Sequence, residues 1–290
     1  MPYKNYGALY AALSGLFFGL IGYFGVSVMN AGISVYTMLF WRFFISGLFM
    51  VFLLLPRFRG SQPYFSSKET IKVVFDGAAF YGTCSILYFI ATKYIGSGLA
   101  MVIFFTYPAI VMLINFIFYK QKVNNYYYLA LVIIFIGMAG LVNGSEFHFN
   151  FMGIGLSLLA SLLYALYIIS SKNSPVPALL STLLVSIGAM LICLFAALAE
   201  HSFLVPLDYH VWFNILGIGI ICTALPIVLL LNGLKHISAV QASILSVLEP
   251  VFVVIFGILL LGEKINFIQA AGVATLLTGA LLALLTQKQQ

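Results

Sequence analysis

The sequence predicts an all-α polytopic membrane protein with ten transmembrane helices in two inverted five-helix repeats. Three observations carry that expectation. Hydrophobic residues make up 63% of the 290 and charged residues 7%, against roughly 45–50% and about 25% in soluble chains; mean hydropathy is +1.13. The apolar residues fall into runs of about 20, the length that crosses a bilayer core. The second half of the chain repeats features of the first under a shift of 142 residues. The same composition excludes a disordered chain, which needs low hydrophobicity, and runs this uniformly apolar lack the alternation of a membrane barrel.

In chain order the runs cover roughly 6–29, 34–55, 70–92, 96–119, 125–143, 151–171, 177–199, 211–233, 238–261 and 266–286. Met29-Asn30-Ala31-Gly32 separates the first two, a turn of the kind Asn and Gly favour. Lys4 precedes a run too long for a signal-peptide core, with no small-x-small cleavage site, so the first run is expected to remain a span. Pro175 and Pro177 flank the start of the seventh run, and the longest outer loop is Glu200 to His210. With the N-terminus inside, Lys4, Arg57, Arg59, Lys68, Lys72, Lys120, Lys122, Lys172, Lys235 and Lys288 fall on the inner side, and Lys93 and Lys264 on the outer. That bias, with an even number of spans, predicts that both termini are cytoplasmic; the expected location is a bacterial inner membrane. Tyr126, Tyr127 and Tyr128 start the fifth run at the inner interface, where aromatic belts sit. The net charge of +6 is thus topological, and no nucleic-acid partner is expected.

Under the 142-residue shift, Lys93 meets Lys235, Pro108 meets Pro250, Lys122 meets Lys264, Asn124 meets Asn266 and Gly137 meets Gly279. A shorter match, four to five residues further offset, pairs Gly7-Ala-Leu-Tyr with Gly153-Ile-Gly-Leu. The units are expected at 1–145 and 146–290. Five spans is an odd number, so the second unit enters the membrane upside down. Inverted repeats with a midplane site between them are the architecture of alternating-access carriers.

Several stretches resemble the EamA branch of the drug/metabolite transporter superfamily. They are Leu248-Glu249-Pro250 and Leu260-Leu-Gly262-Glu263-Lys264, followed by Gln269, Gly272 and Gly279. Tyr107-Pro108 is the first-half counterpart, and Trp41-Arg42-Phe43 and Ala165-Leu-Tyr167 also fit. Phe18-Gly19 stands where that branch usually has Trp-Gly. The resemblance implies an exporter of amino acids, other metabolites or drugs. It also implies a central cavity walled by the first, third, fourth, sixth, eighth and ninth helices.

Glu249 lies about eleven residues into the ninth run, hence about 16 Å deep at 1.5 Å per residue. A carboxyl there costs a few kcal/mol unless paired, protonated or wet. It therefore reads either as a substrate or proton group or as a brace between helices. Pro250 and Pro108 remove a helix hydrogen bond each and are candidate hinges. Arg42 lies about 12 Å deep in the second run, near enough in depth to pair with Glu249; a helix end or an outward snorkel are the alternatives. Asp76 reads as interfacial, one turn after Lys72. In the ninth run Ser238, Ser246 and Gln241 form a polar face with Glu249. Tyr81, Ser85 and Tyr88 share one face of the third run; Tyr107, Tyr164, Tyr167 and Asn232 complete the cavity candidates. Each tyrosine also has a plain packing role to fill. Such a set suits an ammonium or carboxylate carried on an apolar or aromatic body. Gly15, Gly19 and Gly22 read as a helix-contact stripe.

Cys84, Cys193 and Cys222 lie singly inside apolar runs and read as small core residues; no metal is expected. His148, His201, His210 and His236 are placed in loops. HExxH, GxSxG and GxxxxGK[ST] are all missing, so an enzyme is disfavoured, ATP hydrolysis within the chain is excluded and no cofactor is expected. Asn143-Gly-Ser145 has the form of a glycosylation acceptor. The expected function is gradient-driven export of small organic metabolites such as amino acids. The expected partners are the substrate, the bilayer and a proton or substrate counter-flow; monomer and homodimer both stay open. A multidrug efflux protein is the rival, ahead of a membrane enzyme or channel.

Overall fold

The computed structural model describes residues 2–56, 66–120, 123–142, 149–262 and 264–287. Arg57, Arg59, Lys122, Glu263, Lys288, His148 and Asn143-Gly-Ser145 lie outside the described residues. Among those described the regular structure is entirely helical, and nine rods are long and apolar enough to cross a membrane. A shorter helix of 17 residues completes the set.

In chain order the elements are α1, split into Pro2–Phe18 (α1a) and Ile21–Asn30 (α1b), and α2 (Val35–Leu54). Next come α3 (Ser67–Ile95), then α4, split into Ser97–Phe104 (α4a) and Tyr107–Tyr119 (α4b), and α5 (Asn125–Leu141). The remainder are α6 (Phe151–Lys172), α7 (Ala178–Ala199), α8 (Tyr209–His236), α9, split into Ala239–Ser246 (α9a) and Glu249–Leu261 (α9b), and α10 (Phe267–Gln287). Polar caps fix many of the starts. Ser34 accepts from Thr37 N, Asn124 from Tyr126 N, and Asn150 from Met152 and Gly153 N. Reciprocal capping boxes begin α3 (Ser66, Glu69) and α9a (Ser238, Gln241), each satisfying two otherwise orphaned N–H groups. The box at Ser66 explains why α3 starts before the expected residue 70. His210 and His236 are helical, not in loops as expected.

The runs expected as single helices at 6–29, 96–119 and 238–261 are each broken. In α4 and α9 the physical reason is proline. Pro108 and Pro250 can give no N–H to a preceding turn, and each ring clashes with the carbonyl four residues back, so the helix stops and restarts with proline in its first turn. The α1 break falls at Gly19-Leu20, where α1 meets α9b so closely that a Cβ on Gly19 would lie 2.7 Å from Phe252 Cβ.

Two helices carry a π-helical segment: α3 at Asp76–Gly82 and α8 at Gly217–Ala224. A threonine hydroxyl closes each by donating to the carbonyl five residues back, Thr83 Oγ1 to Ala78 O at 2.9 Å and Thr223 Oγ1 to Ile218 O at 2.7 Å. Such insertions widen a helix by one residue and cluster at functional sites.

Close helix contacts recur at positions related by shifts of 142 residues and, for Gly7 and Gly153, 146 residues. Gly137 lies against Gly272 and Leu276, and Gly279 against Ala130 and Ile134, fixing α5 and α10 antiparallel. Gly7 meets His236 and Ile237 where α1 crosses α8, and Gly153 meets Tyr94 and Ile95 where α6 crosses α3. α2 and α7 touch through Ser46 and Ser186, Oγ to Oγ 2.9 Å. The loop after α7 folds over the start of α2: Thr37 Oγ1 donates to Ser202 O at 2.6 Å and Trp41 Nε1 to Leu204 O at 3.1 Å.

Candidate functional site: a cavity open at one end of the bundle

A cavity of about 410 Å³ lies among α1b, α2, α3, α4a, α6 and α9b, within the roughly 300–1,000 Å³ usual for small-molecule sites. Arg42, Tyr81, Tyr164 and Glu249 line it at mid-bundle depth; Ser85, Tyr88, Phe18, Phe104 and Phe105 form its sides. It reaches the end of the bundle at Met29, Thr92, Ser97 and Gly98, where Ser97 is exposed. The opposite end, where the described chain begins, is shut. There Val111 and Met112 of α4b, Ile168 of α6, Leu230 and Leu234 of α8 and Ala242 and Leu245 of α9a are all buried.

Three polar ties hold the shut end. Lys172 Nζ at the end of α6 donates to Leu234 O near the end of α8 at 2.6 Å; a cation on the last carbonyls of a helix also meets the negative end of its dipole. Gln241 Nε2 donates to Tyr127 Oη at 2.6 Å, fastening α9a to α5. Ser170 Oγ donates to Asp76 Oδ2 at 2.5 Å. Asp76 was expected at the interface; it is 7% exposed because the π segment it begins turns it onto α6.

Of the residues singled out in sequence, Glu249, Arg42, Tyr81, Ser85, Tyr88 and Tyr164 come together on the cavity wall. Glu249 is the first residue of α9b, where the positive end of the half-helix favours a carboxylate. Its side chain has no hydrogen bond or ion pair among the described residues. Arg42 is 3% exposed and also lines the cavity. It does not pair with Glu249 within 4 Å; instead its Nε donates to Thr223 Oγ1 at 2.6 Å and its guanidinium carbon lies 5.2 Å from the Phe43 ring centre. The terminal nitrogens of Arg42 have no bond to any described residue.

The other candidates lie elsewhere. Tyr107 and Tyr167 are fully buried behind the wall, Tyr107 edge-on to Tyr164 at 4.7 Å and Tyr167 tilted on Tyr81 at 4.8 Å. The Tyr167 hydroxyl has no partner among the described residues. Gln241 and Ser246 are buried in α9a, Gln241 as cap and tie and Ser246 bonded to Ala242 O at 2.9 Å. Asn232 is half-buried in the shut half of α8. For Gln241 and Ser246 the reason is the break at Val247-Leu248, which separates α9a, packed into the shut end, from α9b, which faces the cavity. The expected wall also changes in one member. α8 supplies no lining residue and α2 does, through Arg42. Gly15 and Gly19 pack on α9, whereas Gly22 faces open space. Cys193 and Cys222 are free and buried; Cys84, also free, lines the cavity. Thr223 was missed, because nothing in a linear sequence marks which hydroxyl an arginine 181 residues away will find.

The sequence profile of the EamA-like transporter family matches this chain twice, over residues 5–143 and 151–285. The chain belongs to the EamA-like transporter family. Its relatives include the uncharacterized transporter YxxF of Bacillus subtilis (strain 168), 22% identical over 98% of this chain and 91% of that protein. The threonine/homoserine exporter RhtA of Escherichia coli (strain K12) is 21% identical over 82% of this chain and 79% of its own. A crystal structure with 15% identity superposes with a TM-score of 0.84, covering 97% of this chain and 98% of that one, and shows the fold. As a member of this family the chain is an integral membrane transporter of small molecules, not an enzyme.

Proposed function

We propose that this EamA-family protein carries small zwitterionic metabolites, amino acids with apolar or aromatic side chains above all, outward across a bacterial inner membrane by alternating access. The observation that carries the reading is the cavity chemistry: a guanidinium and a carboxylate, not bonded to each other, line one cavity otherwise walled largely by aromatic and apolar side chains. An amino acid brings the complementary pair, its carboxylate for Arg42 and its ammonium for Glu249, and an apolar body for the rings. A threonine/homoserine exporter among the relatives supports the same class. In this reading the two halves, about 1–145 and 146–290, act as inverted repeats, the breaks before Pro108 and Pro250 are the flexing points, and both termini are cytoplasmic. The cavity then faces outward, and the tied end is the cytoplasmic gate.

Purified protein in proteoliposomes, loaded with each of the twenty L-amino acids, tests this. Saturable efflux with counterflow of at least one amino acid is expected. Transport of lipophilic cations alone, with no amino acid carried, would favour the multidrug reading that the aromatic wall also suits. A conductance that does not saturate would mean a channel.

A further inference from the structure

Among the described residues the Arg42 side chain makes one hydrogen bond, and the acceptor of that bond is itself fixed. Thr223 has a single hydroxyl proton, and it is committed to Ile218 O at 2.7 Å. That carbonyl is five residues back, within reach because α8 is π-helical from Gly217 to Ala224. With its proton directed there, the hydroxyl must present a lone pair to its other neighbour, and Arg42 Nε sits on it at 2.6 Å. Thr223 is completely buried, so water does not compete for the oxygen. The guanidinium is planar, so fixing Nε fixes the plane of both terminal nitrogens. Those two groups have no bond to any described residue, and Arg42 lines the cavity. In α3 a second threonine, Thr83, makes the same kind of backbone bond, to Ala78 O, with no arginine on it.

We infer that Thr223 is a positioning residue for substrate selection: the π segment of α8 aims its lone pair at Arg42 Nε and so presents the two terminal nitrogens of Arg42 as a fork for a substrate carboxylate. The inference rests on the carboxylate reading of Arg42 proposed above. Its reach is specific. A substrate with a carboxylate feels Thr223; the same molecule without one does not.

The test compares half-saturation constants in proteoliposomes for the best-carried of the twenty L-amino acids and for the matching decarboxylated amine. For Thr223→Val the constant for the amino acid should rise about tenfold, as expected when a charge-assisted contact is misaligned, with the amine within twofold of wild type. Thr223→Ser should restore the amino-acid value. Thr83→Val removes the same kind of backbone bond from α3 and should leave the ratio of the two constants unchanged. Equal weakening of both probes by Thr223→Val, or the same loss of ratio in Thr83→Val, would overturn the inference in favour of a general helix defect. If Arg42→Gln leaves the ratio at the wild-type value, the carboxylate reading of Arg42 itself fails. If Arg42→Gln lowers the ratio and Thr223→Val does not, that reading stands and the role of Thr223 falls.

Discussion

Glu249 is the residue at which stability and transport are expected to pull apart. Among the described residues its carboxylate has no hydrogen-bond or ion-pair partner, so it braces none of the described helices; a charge at this depth is a cost to the fold. Glu249→Gln keeps the shape and removes the charge. Its melting temperature should equal or exceed wild type while saturable efflux falls by about tenfold or more, by the worth of a charged hydrogen bond. Efflux and pH profile at the wild-type level, for equal protein in the membrane, would remove Glu249 from the mechanism. Tyr107→Phe should leave the half-saturation constant unchanged, since Tyr107 lies behind the wall at 1% exposure. A sequence states depth well and direction poorly, which is why Tyr107 and Tyr164 read alike before folding, though one lies behind the wall and the other on it. Glu249 and Arg42 were legible because a charge in mid-membrane is conspicuous wherever it points. Gln241 and Ser246 were placed on one polar face with Glu249 because a helical face is drawn as if the helix ran straight, and α9 does not; Asn232 lies on the shut half of α8, away from the cavity wall.

At the scale of the element, the spans were legible because bilayer thickness imposes a length that composition reveals. Their interruptions were only half legible. Pro108 and Pro250 announced a bend, but the π segments of α3 and α8 have no comparable marker, since no residue type is reserved for them. The close crossing of α3 and α7 makes a sharp expectation. A Cβ on Gly188 would fall 2.0 Å from Val74 O, and one on Gly77 2.4 Å from Val185 O. Both obstacles are backbone, which cannot swing aside as a side chain would. Gly188→Ala should therefore cost about 1–3 kcal/mol, read as a lower melting temperature in detergent and less protein inserted. Gly155→Ala on α6, where nothing lies within 4 Å, is the control and should match wild type.

For the whole molecule the first expectation is sidedness. On a background lacking Cys84, Cys193 and Cys222, Val205→Cys and Ser97→Cys should both react with an impermeant maleimide in intact cells, because both positions are exposed at the open end. Asn173→Cys, exposed beyond the tied end, should react only after the membrane is opened. The reverse pattern would invert the orientation and make the tied end extracellular. The Lys172–Leu234 bond carries a consequence for the transport cycle. Under the shifts of 142 and 146 residues that align the halves, Lys172 corresponds to Val26 and Gln241 to Leu99, so the matching positions at the opposite end carry neither the ammonium nor the amide donor. In the outward-facing, alternating-access reading proposed above, the two half-cycles are energetically unequal, and an empty carrier breaks the Lys172–Leu234 and Ser170–Asp76 contacts to turn inward with no solute bound to compensate. The unloaded return is then the slow leg, so exchange of solute for solute should outrun net efflux. Lys172→Met should narrow that gap by raising net efflux toward the exchange rate, and an unchanged ratio of the two fluxes would mean that the return is limited elsewhere.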